Sequence, residues 1–120
     1  MRWRMGSVKY WEFDMKVIPL AAIPSSTFQV ILDDQQCRIS LYQRGRRIYL
    51  DLDVDNEPVC RGAICQNRAS VVQSPTRLFS GTLHFWDTLG DDPPRYDLLG
   101  TRFQLMYVSA NETLPDALKF

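Results

Sequence analysis

Apolar residues recur at every second position in five stretches of this 120-residue chain. In TFQVILD, Phe28, Val30 and Leu32 share a parity, and in QCRISLYQ so do Cys37, Ile39 and Leu41. In RRIYLDLDV, Ile48, Leu50, Leu52 and Val54 alternate with Tyr49, Asp51 and Asp53. In FSGTLHFWD, Phe79, Leu83 and Phe85 oppose Thr82, His84 and Trp86, and in RFQLMYV, Phe103, Leu105 and Tyr107 alternate with Gln104 and Met106. A strand places successive side chains on opposite faces, so this period is that of half-buried antiparallel strands and not of helices. Pro58–Cys65 is a weaker strand broken at Gly62.

The connectors fit that reading. Asp33-Asp34-Gln35-Gln36 is short enough for a hairpin turn, Gly45 sits where a positive φ is needed, and Asp55-Asn56-Glu57-Pro58 carries turn chemistry of its own. Three strong strands thus form a meander, with a fourth after Pro58. The expected fold is all-β: a small antiparallel sandwich or barrel built from hairpins, with a long loop before the last strand and a short C-terminal tail. We divide the chain into an N-terminal extension (1–15), a β-domain (16–110) and a tail (111–120), whose only helical signal is Pro115–Phe120. Two segments break the alternation: the polar Asn67–Arg77, and GDDPPRYDLLG, a loop long enough to be functional or interface-forming.

Charge and cysteines narrow the function. Fourteen basic residues balance fourteen acidic ones, which argues against holding nucleic acid by an overall field. No apolar run is long enough for a membrane-spanning helix, and the charged N-terminus does not read as a secretory signal. Three cysteines, Cys37, Cys60 and Cys65, are too few and odd in number for a disulfide framework, and are expected as reduced thiols. In an unbroken strand Cys60 and Cys65 would point to opposite faces; a bulge at Gly62 would change that.

Each motif with a chemical reading has a structural one beside it. DLDVDNE resembles the start of a calcium loop, but its sixth and twelfth places are Asn56 and Gly62, and no helices flank it. Asp51 and Asp53 instead read as the polar face of a strand. RGRR could grip phosphate, but Arg44 and Arg46 bracket a turn and Arg47 is expected across from acids. Asp87, Asp91, Asp92 and Asp97 flank the long loop without a recognisable metal spacing. His84, the single histidine, has no nucleophile in an activating context. A β-barrel binding module for nucleic acid or glycan would use Tyr42, Tyr49 and Trp86 in one groove. A small hydrolase would pair His84 with an acid.

The order of VIPLAAIPSSTFQVIL, CRISLYQRGRRIYLDLDV, GAIC and FSGTLHFWDTLGDDPPRYDLLGTRFQLMYV resembles the phage baseplate plug family of contractile-tailed phages, over roughly Val17 to Val108. The chain departs from the family at Asp34-Gln35-Gln36, where members carry an Asn-Gly type turn, and upstream of Met15, near which members begin. The resemblance implies a non-enzymatic structural subunit, without cofactor or metal, that plugs the hub or distal tail tube. It would be made in the host cytoplasm and carried in the virion. Implied partners are hub, tail tube and spike proteins and further copies of the chain, with no membrane and no direct nucleic-acid role. Interface residues expected on this view are Trp3, Trp11 and Phe13, the charges Arg44, Arg46, Arg47, Asp51 and Asp53, and the loop residues Pro93, Pro94, Arg95 and Tyr96.

Overall fold

A computed structural model describes residues 15–72 and 78–109. The expectations on Trp3, Trp11, Phe13 and Pro115–Phe120 lie outside the described residues.

The meander is present. β2 (Ser25–Leu32), β3 (Gln35–Arg44), β4 (Arg47–Val54) and β5 (Glu57–Ile64) form one antiparallel sheet in the order β2-β3-β4-β5. β1 (Met15–Ile18), β6 (Thr82–Asp87) and β7 (Phe103–Val108) form a second, in the order β1-β7-β6. Among the described residues no strand pair joins the sheets, so the sandwich is realised and not the barrel. Two features were not expected. β1 is a strand, and Asn67–Val71 lies along β6, bonding it through Arg68 N–H to the Phe85 carbonyl (2.7 Å) and Val71 N–H to the Leu83 carbonyl (2.8 Å). The long loop also holds a 3-10 turn, Tyr96–Leu98.

The large sheet is drawn tight by its turns. Asp33 and Asp34 have φ of 50° and 64°, and Asp55 and Asn56 have 51° and 68°. Positive φ at both central residues is the type I′ pattern, whose twist matches that of the flanking strands; Asp and Asn tolerate it best after Gly. Inward residues Ile39, Leu41, Ile48, Leu50 and Leu52 then meet Leu83, Phe85, Phe103, Leu105 and Tyr107 in one buried cluster. Burying each such side chain contributes roughly 1.5–3 kcal/mol.

A polar latch joins the two sheets at one end. Tyr107 Oη lies 2.7 Å from Asp33 Oδ2, in the β2–β3 turn, and 2.8 Å from the Ser80 carbonyl. Gln35 adds a two-way bond with Ser80, donating to its carbonyl (3.2 Å) and accepting from its N–H (2.8 Å). Burial and the Asp33 contact push the Tyr107 phenol well above its usual range. The ring passes so close to Gly81 (φ +93°) that a Cβ there would sit 2.5 Å from Oη.

Three outcomes are expected in urea denaturation. Leu50→Ala should cost about 2–5 kcal/mol, as a fully buried leucine leaving a cavity. Gly45→Ala, at φ +61° with open space around it, should carry only left-handed strain of about 1–2 kcal/mol. Gly81→Ala should cost more than Gly45→Ala, because it also collides with Tyr107; equal losses would mean the ring gives way freely.

Candidate functional site: the outer face and ends of the large sheet

The outward positions of β3 and β4 are paired across the ladder as Arg38↔Asp53, Ser40↔Asp51 and Tyr42↔Tyr49. The tyrosine rings stack with centroids 6.1 Å apart, and the Arg44 guanidinium lies 5.1 Å from the Tyr42 centroid. Arg38 Nη2 donates to Asp53 Oδ2 at 2.7 Å, and Arg61 Nη1 of β5 stands 2.6 Å from Asp53 Oδ1. The Arg61 guanidinium first, and then the Arg38 hydrogen bond, hold the Asp53 carboxyl below its usual range. The side chain is only 10% exposed beneath these two cations, not turned to solvent as its strand parity implied.

Asp51 has a different duty. Its Oδ1 accepts from Gly62 N–H (2.7 Å) and from the Tyr42 hydroxyl (3.0 Å). Leu50 pairs with Ala63 but Leu52 with Cys60, so Arg61 and Gly62 together oppose Asp51. That is a β-bulge, with Gly62 at φ +63°. The extra residue resets the parity of β5, and Cys60 and Cys65 both turn toward the core. Cys65 is fully buried and burial pushes its thiol far up; burial, with Asp55 nearby, takes Cys37 to about 11. Neither is an activated nucleophile.

Arg47 does not face acids. It pairs across the turn with Arg44 and donates from Nη2 to the Cys65 carbonyl at 3.2 Å. The reason is the hairpin register, which sets the two arginines opposite each other. Arg44 and Arg46 are exposed beside it.

The loop residues Pro93–Tyr96 come to this same end of the sandwich, because Tyr96 N–H donates to Gln43 Oε1 at 3.0 Å. Pro94 is buried; Pro93, Arg95 and Tyr96 are half-buried. The loop is folded around Asp87, whose carboxylate is wholly buried and takes a two-pronged bond from Arg102 (Nε to Oδ1 2.7 Å, Nη2 to Oδ2 2.8 Å). It also accepts from the N–H groups of Leu89 and Asp92. Arg102 holds the Asp87 carboxyl far below the usual range. Arg102 and Arg95 lie 5.0 and 5.2 Å from the Phe103 ring centroid. The Asp87 oxygens that a cation would need are thus committed to donors, and among the described residues no cluster of three or more His, Cys, Asp or Glu could hold a metal. Nothing local in the sequence pairs Asp87 with Arg102, since Asp87 ends β6 and Arg102 stands in the turn before β7.

His84 is buried on the outer face of the second sheet, opposite Met106 in the ladder. Its Nδ1 lies 2.7 Å from the Arg68 carbonyl and so donates, leaving Nε2 to accept from the Thr82 hydroxyl at 2.8 Å. Burial lowers its pKa and keeps the ring neutral. Neither nitrogen meets a carboxylate, which leaves the hydrolase reading without its acid. The common groove of Tyr42, Tyr49 and Trp86 is not formed either. Trp86 lies on the outer face of the other sheet, packed with Met106, Val108 and Val17.

Acid should expose the two buried carboxyls. Both have folded pKa values below the unfolded ones, so their contribution is complete above about pH 4 and is lost as pH falls through the folded values. Asp87→Asn should flatten that acid limb in denaturation midpoints followed from neutral pH downward; an unchanged limb would mean other groups dominate. Asp51→Ala should cost about 1–2 kcal/mol by orphaning its two donors, whereas Arg46→Ala should stay within about 0.5 kcal/mol.

No curated protein matches the chain. A family model described as Cyanophage baseplate Pam3 plug gp18 matches residues 15–111, a span that takes in both sheets, the bulge and the Asp87-centred loop. The chain belongs to this baseplate plug family of phage tails.

Proposed function

We propose that the chain is a non-enzymatic structural subunit that closes the hub or distal tail tube of a contractile baseplate. It would contact hub, tail tube and spike proteins and further copies of itself, be made in the host cytoplasm and act within the virion. The observation that carries this reading is the family match across residues 15–111. The side-chain chemistry supports it: the groups that catalysis would recruit are committed to the fold, with His84 bonded at both nitrogens and Asp53 and Asp87 held by arginines.

The surface we assign to a neighbouring subunit is the β3–β4 end, where exposed Arg44 and Arg46 stand near Arg95 and the loop that Tyr96 ties to Gln43. Exposed cations with little internal duty set register and partner choice at modest cost to the fold. Asp51 and Asp53 contribute from beneath, by fixing the bulge and the arginines around it. The aromatic segment bearing Trp3, Trp11 and Phe13 remains part of the proposed contact.

Mixing the chain with the hub and tube proteins of the same genome should give a co-assembled species by light scattering. The double variant Arg44→Glu/Arg46→Glu should lose at least tenfold in that association while keeping the wild-type denaturation midpoint. A chain that stays separate from every baseplate protein overturns the plug reading. Association untouched by the charge reversal overturns the assigned surface. Salt-sensitive binding to a polyanion or glycan would revive the binding module.

A further inference from the structure

The described residues leave several sheet edges, and all but one are guarded. β5 carries Pro58, Arg61 and two register shifts. β6 is covered by Asn67–Val71. β1 is four residues long, carries Lys16 and is followed by Pro19. β2 is preceded by Pro24 but has none of these devices within the strand. It is eight residues, SSTFQVIL, with no charge, no proline and an unbroken register from Ser25↔Tyr42 to Leu32↔Gln35. Long, flat, uncharged edges pair with other strands, which is why proteins blunt those they do not use.

The register says which groups are on offer. Gln43 N–H donates to the Pro24 carbonyl at 2.9 Å, so position 24 is a hydrogen-bonded pair with β3. In an antiparallel ladder every second residue bonds the same neighbour, so 26, 28, 30 and 32 bond β3. Ser25, Thr27, Gln29 and Ile31 therefore aim N–H and C=O at the open side. On the inner face Phe28 and Val30 are only partly buried, and on the outer face Ile31 is 59% exposed.

We propose that this edge is filled by β2 of a second copy of the chain, antiparallel about a two-fold axis at Phe28. Ser25 then bonds Ile31 of the copy and Thr27 bonds Gln29 of the copy, so the outward main-chain groups of all four residues find partners. Phe28 meets its own equivalent in a closely spaced pair on the core side, where aromatic pairs stabilise a sheet. Inner faces stay inner, and two four-stranded sheets become one continuous sheet. The lack of charge favours a self-pair in particular. Across a two-fold axis a charged strand meets its own charges, and β2 has none to repel. The chain's zero formal net charge removes long-range repulsion as well.

Sedimentation equilibrium of the full chain should give twice the monomer mass. Gln29→Pro should return it to the monomer with an unchanged far-ultraviolet circular dichroism spectrum, since that N–H bonds nothing in β3. Should the proline disturb folding, two charge variants decide: Thr27→Lys/Gln29→Lys and Thr27→Glu/Gln29→Glu should each be monomeric and re-form dimer when mixed. A wild-type monomer, a Gln29→Pro dimer, or charge variants that fail to combine each overturn the pairing. So does an edge that fills only with a strand of another baseplate protein. The pairing needs no other protein, so its failure leaves co-assembly with hub or tube untouched.

Discussion

Everything in the large sheet depends on strand parity being kept through its tight turns. A slip of one residue would send every inward side chain of a strand to solvent. The turns at Asp33-Asp34 and Asp55-Asn56 prevent it by adopting left-handed backbone at both central positions, which fixes two-residue loops and thus the pairing of Leu32 with Gln35 and Val54 with Glu57. Of the two register shifts between β4 and β5, the one at Arg61-Gly62 is held by the Asp51 carboxylate and returns β5 to a core-facing parity. One side chain on the outer face thereby decides which way two cysteines point.

Polar groups inside or against the core are used as fasteners. Asp87 and Arg102 gather the long loop, Asp53 sits under Arg38 and Arg61, and Tyr107 ties β7 to the β2–β3 turn. Removing one partner of such a set costs far more than the set stabilises, because it strands a desolvated charge or donor. That arrangement suits the structural role proposed for the chain. It also leaves the two buried carboxyls, Asp53 and Asp87, committed to arginines.

The surfaces proposed for partners are therefore peripheral. Arg44 and Arg46 stand exposed at the β3–β4 turn, and the Tyr96 N–H bond to Gln43 brings the remote long loop to that end of the sheet. The β2 edge lies elsewhere on the sheet and offers main-chain groups in place of charge. A subunit with one charged end and one open edge can contact different neighbours by different physics, the first sensitive to salt and the second to proline.

The sequence by itself determined the all-β class, the meander from β2 to β5, the core parity at Ile39, Leu50, Phe85 and Leu105, and the family; between an unbroken β5 and one bulged at Gly62 it left the choice open, and the tertiary structure made it. These are local signals: a period of two, turn residues of the right kind, one glycine with a positive φ, and an ordered set of motifs. Only the tertiary structure decided between sandwich and barrel. It alone also placed Asn67–Val71 along β6, buried Asp53 under two arginines, set Arg47 against Arg44 rather than acids, and put Trp86 on a different sheet from Tyr42 and Tyr49. Each of these depends on which strands become neighbours in space. Pairing between strands distant in the chain is fixed by the collective burial of one core, and alternation within a strand reports which face is inward but not what that face or its opposite will meet.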